Sequence, residues 1–145
     1  MSIYWKALLM FGLLPPVQLS IAHADKQSSS SNTPEIVAVK FHADWCGSCR
    51  RMGTAFEDLS VVSENKPVLF TTLDLTDNRT RKQAAYLMSM LRFQEAWKEC
   101  GAGQKTGFVL LIDPATQQPI GRLTADQDLK QMKAAFQEAV AKTSA

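Results

Sequence analysis

The run that most restricts this chain is FHADWCGSCRRM, Phe41 to Met52, in which Cys46 and Cys49 stand two residues apart behind Trp45. It follows EIVAVKF (Glu35 to Phe41), a β-branched apolar run of the length of a buried strand. It leads into RRMGTAFEDLSVV, whose apolar residues Met52, Ala55, Phe56 and Leu59 recur at helical spacing. Cys46 therefore falls at a strand-to-helix junction and Cys49 in the first helical turn. By itself a C-x-x-C pair can exchange disulfides, hold a metal or close a small structural loop.

Downstream, KPVLFTTLDL (Lys66 to Leu75) reads as a second strand, with Pro67 at its start, where a missing N–H is tolerated. The segment NRTRKQAAYLMSMLRFQEAWKEC, Asn78 to Cys100, is rich in helix formers and puts Ala84, Leu87, Met88 and Leu91 on one face. An extended middle helix is expected there, with Phe93 and Trp97 belonging to the core. GFVLLID (Gly107 to Asp113) and IGRL (Ile120 to Leu123), separated by the turn PATQQP, are close enough to form a hairpin. TADQDLKQMKAAFQEAVAK opens with Thr124 and Gln127 in capping-box spacing and buries Leu129, Met132, Phe136 and Val140. The order β-α-β-α-β-β-α implies an α/β fold with a central mixed sheet flanked by helices. One domain, residues 35–142, accounts for all of these elements.

Residues 1–24 read as a secretory signal peptide. Lys6 precedes the apolar ALLMFGLL (Ala7 to Leu14), followed by Pro15-Pro16 and by AHA at Ala22 to Ala24, so cleavage is expected before Asp25. The apolar run falls well short of the ~20 residues that span a bilayer. DKQSSSSNTP, residues 25–34, has the composition of a flexible linker. The protein is thus expected to be periplasmic or otherwise exported. A formal net charge of +2, with acids and bases interleaved, leaves no basic track for nucleic acid and no polybasic membrane patch. The three cysteines, Cys46, Cys49 and Cys100, all lie in the exported part, and an odd number cannot pair fully within one chain.

The strand, the run FHADWCGSCRRM and the closing β-β-α unit together resemble the thioredoxin-like family. The spelling ADWC and the later LDLTDN are most similar to exported thioredoxin domains such as the C-terminal domain of DsbD-type thiol:disulfide interchange proteins. The resemblance covers roughly Glu35 to Lys142. It implies a thioredoxin-like fold and a thiol:disulfide oxidoreductase of the protein-disulfide reductase type. The implied partners are exported proteins carrying disulfides or thiols and a membrane electron donor, with the chain acting as a monomer. No cofactor, metal or nucleic acid is implied. Three places depart from the family. Gly107 stands where relatives carry a cis-proline facing the cysteines, and Lys40 where many carry a buried acid. The stretch from Leu75 to Thr106 is also longer than in a minimal thioredoxin.

In disulfide exchange a thiolate attacks a disulfide sulfur, and a second thiol resolves the mixed disulfide. A helix N-terminus favours the thiolate, so Cys46 is expected to attack, partly exposed, and Cys49 to resolve. Trp45 is expected to cover the pair, Gly47 to let the backbone turn tightly, and Ser48 to complete the dipeptide between the cysteines. His42 is expected to pack or to supply a proton. Thr106 and Gly107 are expected to border the sulfurs across a trans bond, leaving a looser site than a cis-proline would. Lys40 should reach outward or pair with Asp74, and Cys100 should be a lone packed thiol. Two other readings stand beside this one. The shell could bind partners with its cysteines redox-inactive. Alternatively, His42, Cys46, Cys49 and Cys100 could hold a metal, although no second C-x-x-C or H-x-x-x-H supports it.

Overall fold

The computed structural model describes residues 33–63 and 65–143. The expected signal peptide, and the linker as far as residue 32, lie outside these residues. The apolar run at Ile36–His42 forms strand β1, whose first six residues are buried, as only an interior strand can be. It pairs in parallel with β2 (Val68–Asp74) and antiparallel with β3 (Phe108–Asp113), which pairs antiparallel with β4 (Gln118–Thr124). The sheet order is β2-β1-β3-β4, a mixed sheet.

The described helices are α1 (Gly47–Met52), α2 (Ala55–Val62), α3 (Asn78–Met90), α4 (Gln94–Glu99) and α5 (Leu129–Thr143). Because strand side chains alternate, β1 feeds two cores. Val37, Val39 and Phe41 pack with Ala84, Met88, Phe93 and Ala96 on the α3–α4 side. Ile36 and Ala38 pack with Phe56, Leu59, Met132 and Phe136 on the α2–α5 side. Helices thus flank both faces of the sheet.

The segment expected as one extended middle helix is two helices. Arg92 takes φ 60°, the left-handed region, just beyond α3. The Arg92 N–H then donates to Ser89 O and the Phe93 N–H to Met88 O, the paired bonds that close a helix end. The turn tucks Phe93 into the core and leaves Leu87 and Leu91 more than a third exposed. The first helical segment is likewise divided, because Gly53 at φ 52° ends α1 and α2 starts afresh at Ala55.

The last helix begins later than the capping-box spacing implies. Thr124 and Gln127 do pair, the Thr124 N–H donating to Gln127 Oε1 at 2.8 Å, but they close the turn before the helix. Asp128 and Gln131 cap α5 instead, each side chain accepting from the other's backbone N–H.

Register builds the site. Phe41 lies opposite Phe108, and their rings stack with centroids 4.9 Å apart. The residue preceding Phe108 is therefore delivered to the end of β1, where α1 starts. Burying two such rings anchors this end of the sheet with about 1.5–3 kcal/mol each.

Candidate functional site

Beyond β1 the chain turns at once, the Cys46 N–H donating to Ala43 O at 3.0 Å. Cys46 is the N-cap residue of α1, with extended backbone angles of φ −79° and ψ 111°. Its Sγ accepts the Cys49 N–H at 3.0 Å. The sulfur thus takes the place that a serine or aspartate oxygen usually fills, and satisfies one of the free donors of the first turn. Cys46 and Cys49 are joined in a disulfide, with Cα atoms 5.2 Å apart. Cys49 Sγ faces the Phe41 carbonyl at 3.8 Å, so a thiol formed there on reduction has an acceptor in reach.

Both cysteines are nearly enclosed, Cys46 at 4% exposure and Cys49 at 5%. The partly exposed attacking sulfur expected from sequence is not what the disulfide form provides, and one of the residues that lie against Cys46 is Gly107. Its peptide bond is trans, as expected, and its φ is +83°. A Cβ built on Gly107 would overlap Ser48 Cβ and lie 3.1 Å from Cys46 Sγ. The Gly107 N–H, which a proline would lack, donates to Phe41 O at 2.8 Å. Glycine therefore brings the loop down onto the sulfurs. The loop thus lies in close contact with Cys46 and Ser48 where the sequence implied a looser arrangement. Thr106 is half-buried beside it.

The other residues singled out from sequence are placed as follows. Trp45 is 55% exposed, and its Nε1–H donates to Thr76 O at 3.0 Å, pinning the ring to the loop after β2. His42 turns to Asp44, Nε2 to Oδ1 at 3.4 Å, and no contact joins it to a sulfur. Gly47 is not required as a glycine: a Cβ there would meet only an Arg51 guanidinium nitrogen at 3.9 Å, an ordinary contact. Ser48 Oγ accepts from Arg51 Nη2 at 3.0 Å.

Lys40 neither reaches outward nor pairs with Asp74. It lies on the α2 side, 7% exposed, with Nζ 3.0 Å from Glu57 Oε1 and 5.2 Å from the Phe56 ring centre. Asp74 is exposed and accepts from the Thr76 N–H at 2.8 Å. Burial works against the charged form of Glu57. The hydrogen bond and charge of Lys40, with smaller help from its own backbone and His42, nonetheless hold its carboxyl below the usual value. Cys100 is wholly buried, donating to Trp97 O at 3.0 Å and accepting from the Gly103 N–H at 3.1 Å. Burial pushes its thiol pKa up, against the hydrogen bond from Gly103. Cys100 is thus packed away from the pair, and among the described residues no group of three His, Cys, Asp or Glu is arranged to hold a metal.

Sequence reasoning passed over Thr76, which holds both Trp45 and, through Oγ1, the Asp44 N–H at 3.1 Å. The signal available was the run TDN behind a strand, which marks a turn but not its partner.

A mixed sheet flanked by helices, with a C-x-x-C disulfide where a central strand meets a helix, defines a thioredoxin-like α/β domain. The Thioredoxin family model matches residues 19–96, more than half of the chain, and the chain belongs to the thioredoxin family. It is similar to the thioredoxin of Ictalurus punctatus, 40% identical over 43 residues, which are 30% of this chain and 40% of that protein. It is also similar to the thioredoxin of Coprinus comatus, 27% identical over 74 residues, which are 51% of this chain and 70% of that protein. Family membership and the Cys46–Cys49 pair together support thiol–disulfide oxidoreductase chemistry.

Proposed function

We propose that this protein is an exported thiol:disulfide oxidoreductase that reduces disulfides in other exported proteins through Cys46 and Cys49. The observation that carries the reading is the Cys49 N–H donating to Cys46 Sγ at the start of α1, since that bond favours a thiolate at Cys46. In the reduced enzyme the Cys46 thiolate attacks one sulfur of a substrate disulfide, and the other sulfur leaves and takes up a proton. Cys49, held until then toward the Phe41 carbonyl, loses its proton and attacks Cys46 Sγ. The second substrate sulfur leaves and is protonated. The substrate gains two electrons and two protons, and the Cys46–Cys49 disulfide remains. A dithiol donor, on this reading a membrane protein, must then reduce the pair again.

Near-complete burial of both sulfurs favours a second reading, a binding shell in which the disulfide is inert. Insulin reduction driven by dithiothreitol separates the two. The oxidoreductase reading expects turnover that Cys46→Ser abolishes, and equal rates in both proteins would refute it. A reductive role further expects a potential toward the reducing end of the roughly −120 to −270 mV that such pairs span. Export rests on the N-terminal sequence alone. It expects the mature chain to start within a residue or two of Asp25 when secreted protein is sequenced from its N-terminus.

A further inference from the structure

Two loops border the disulfide, and one side chain outside the site holds both. The first, Leu75 to Asp77, carries Thr76, which fixes Trp45 and Asp44 immediately before Cys46. It is tied to the end of β1 by the Leu75 N–H donating to His42 O at 2.8 Å. The second runs from Gly101 to Gly107 and ends against Cys46 Sγ. Arg81, in the first turns of α3, reaches each of them. Its Nε donates to Gly103 O at 3.0 Å and its Nη2 to Leu75 O at 3.4 Å, while Nη1 donates to Asn78 Oδ1 at 2.9 Å.

All three partners are neutral oxygens. Leu75 O and Gly103 O lie on the two loops, while Asn78 sits one turn back on α3 and steadies the guanidinium, which acts here as a brace between the loops rather than as half of an ion pair. Only a side chain with several N–H donors in a fixed fork can span them together, and a lysine cannot. The second loop is shaped to receive it. Gly103 takes φ +84°, and a Cβ there would sit 2.8 Å from Arg81 Cγ and 2.7 Å from Trp97 Cη2, so glycine lets the loop close onto the arginine stem.

We propose that Arg81 is a positioning residue for thiol–disulfide exchange. It holds the Thr76 loop and the Gly107 loop at a fixed separation, and so sets how a protein substrate docks over Cys46. This rests on the oxidoreductase reading, but its first test does not depend on activity. In full-length protein, Arg81→Met keeps the packing of the stem and Arg81→Lys keeps the charge, while both lose the brace. Hydrogen exchange followed by NMR at the Trp45 indole N–H and the Gly107 amide is expected to quicken about tenfold in both variants, with α5 amides unchanged. Unchanged exchange at these two protons, or equal acceleration in α5, overturns the proposal, the latter because it reports only lost global stability.

Insulin-reduction kinetics supply the second readout. KM is expected to rise about threefold or more in both variants while kcat stays within about twofold, because docking is loosened and the sulfur chemistry is not. An unchanged KM, or full rescue by Arg81→Lys, also overturns it. Should the wild-type protein fail to reduce insulin, the oxidoreductase reading falls, and the exchange measurement alone decides the role of Arg81.

Discussion

Gly107 crosses Cys46 so closely that a Cβ on the glycine would lie 3.1 Å from Cys46 Sγ, and its N–H is bound to Phe41 O. Restoring the family's proline here is therefore disruptive. Proline cannot take φ +83°, and it lacks the donated N–H. Gly107→Pro is expected to lose about 2–4 kcal/mol in urea unfolding, and Gly107→Ala about 1–2 kcal/mol from the left-handed backbone angle alone. Both should slow insulin reduction, since the displaced loop and Ser48 lie against the sulfurs. Unchanged stability in Gly107→Ala would show that the loop yields freely.

Cys46 and Cys100 of the reduced protein should label at very different rates. Cys46 accepts a backbone N–H at a helix start, whereas Cys100 is fully enclosed and burial raises its pKa. At neutral pH, Cys100 is thus held protonated as well as hidden. Iodoacetamide followed by peptide mass mapping is expected to modify Cys46 at least about tenfold faster than Cys100. Equal rates would mean that the helix start does not activate Cys46.

The pairing of Lys40 with Glu57 predicts a pH signature. The folded pKa of Glu57 lies below its ordinary value of 4.5, so its contribution to stability is present above that value. It is lost as pH falls through the folded pKa. Glu57→Gln removes the counter-charge of a buried ammonium while its amide oxygen still accepts from Lys40, and is expected to cost about 1–3 kcal/mol near neutrality, toward the lower end because water reaches the Glu57 side of the pair. That deficit should shrink below pH 4.5. Lys40→Met is expected to fall within about 1 kcal/mol of wild type, because it removes the buried charge together with the need for a partner. A Glu57→Gln deficit that is constant from pH 7 to pH 3 would rule the ion pair out as its cause.

Arg92 offers a gain. It occupies the left-handed position that ends α3, at φ 60°, on the surface. Arg92→Gly removes the Cβ conflict and is expected to raise stability by about 0.5–1 kcal/mol, less the glycine's greater freedom when unfolded. Thermal unfolding would check it, and a lower Tm would mean that unfolded-state entropy outweighs the strain.

Much of the architecture was legible in the chain because it is written in local periods. The continuous apolar run at Ile36–Phe41 marks an interior strand, and Met132 and Phe136, one turn apart, mark the buried stripe of α5. The C-x-x-C run between strand and helix located the disulfide for a similar reason, since both cysteines lie within one turn. The break at Arg92 was not legible, because helix ends are usually signalled by glycine and here an arginine takes the left-handed angle. What lies opposite what was decided only in three dimensions. The resemblance already set Gly107 beside the cysteines, but how closely it lies there was not legible: pairing β1 with β3 set Phe41 against Phe108, and that register presses Gly107 onto Cys46. The side of β1 on which α2 packs gave Lys40 its partner in Glu57 rather than Asp74. Arg81 bridges Leu75 and Gly103, 28 residues apart in the chain, for the same reason. Periodicity is a property of neighbours along the chain, whereas these contacts depend on how strands and helices register once the two cores have formed.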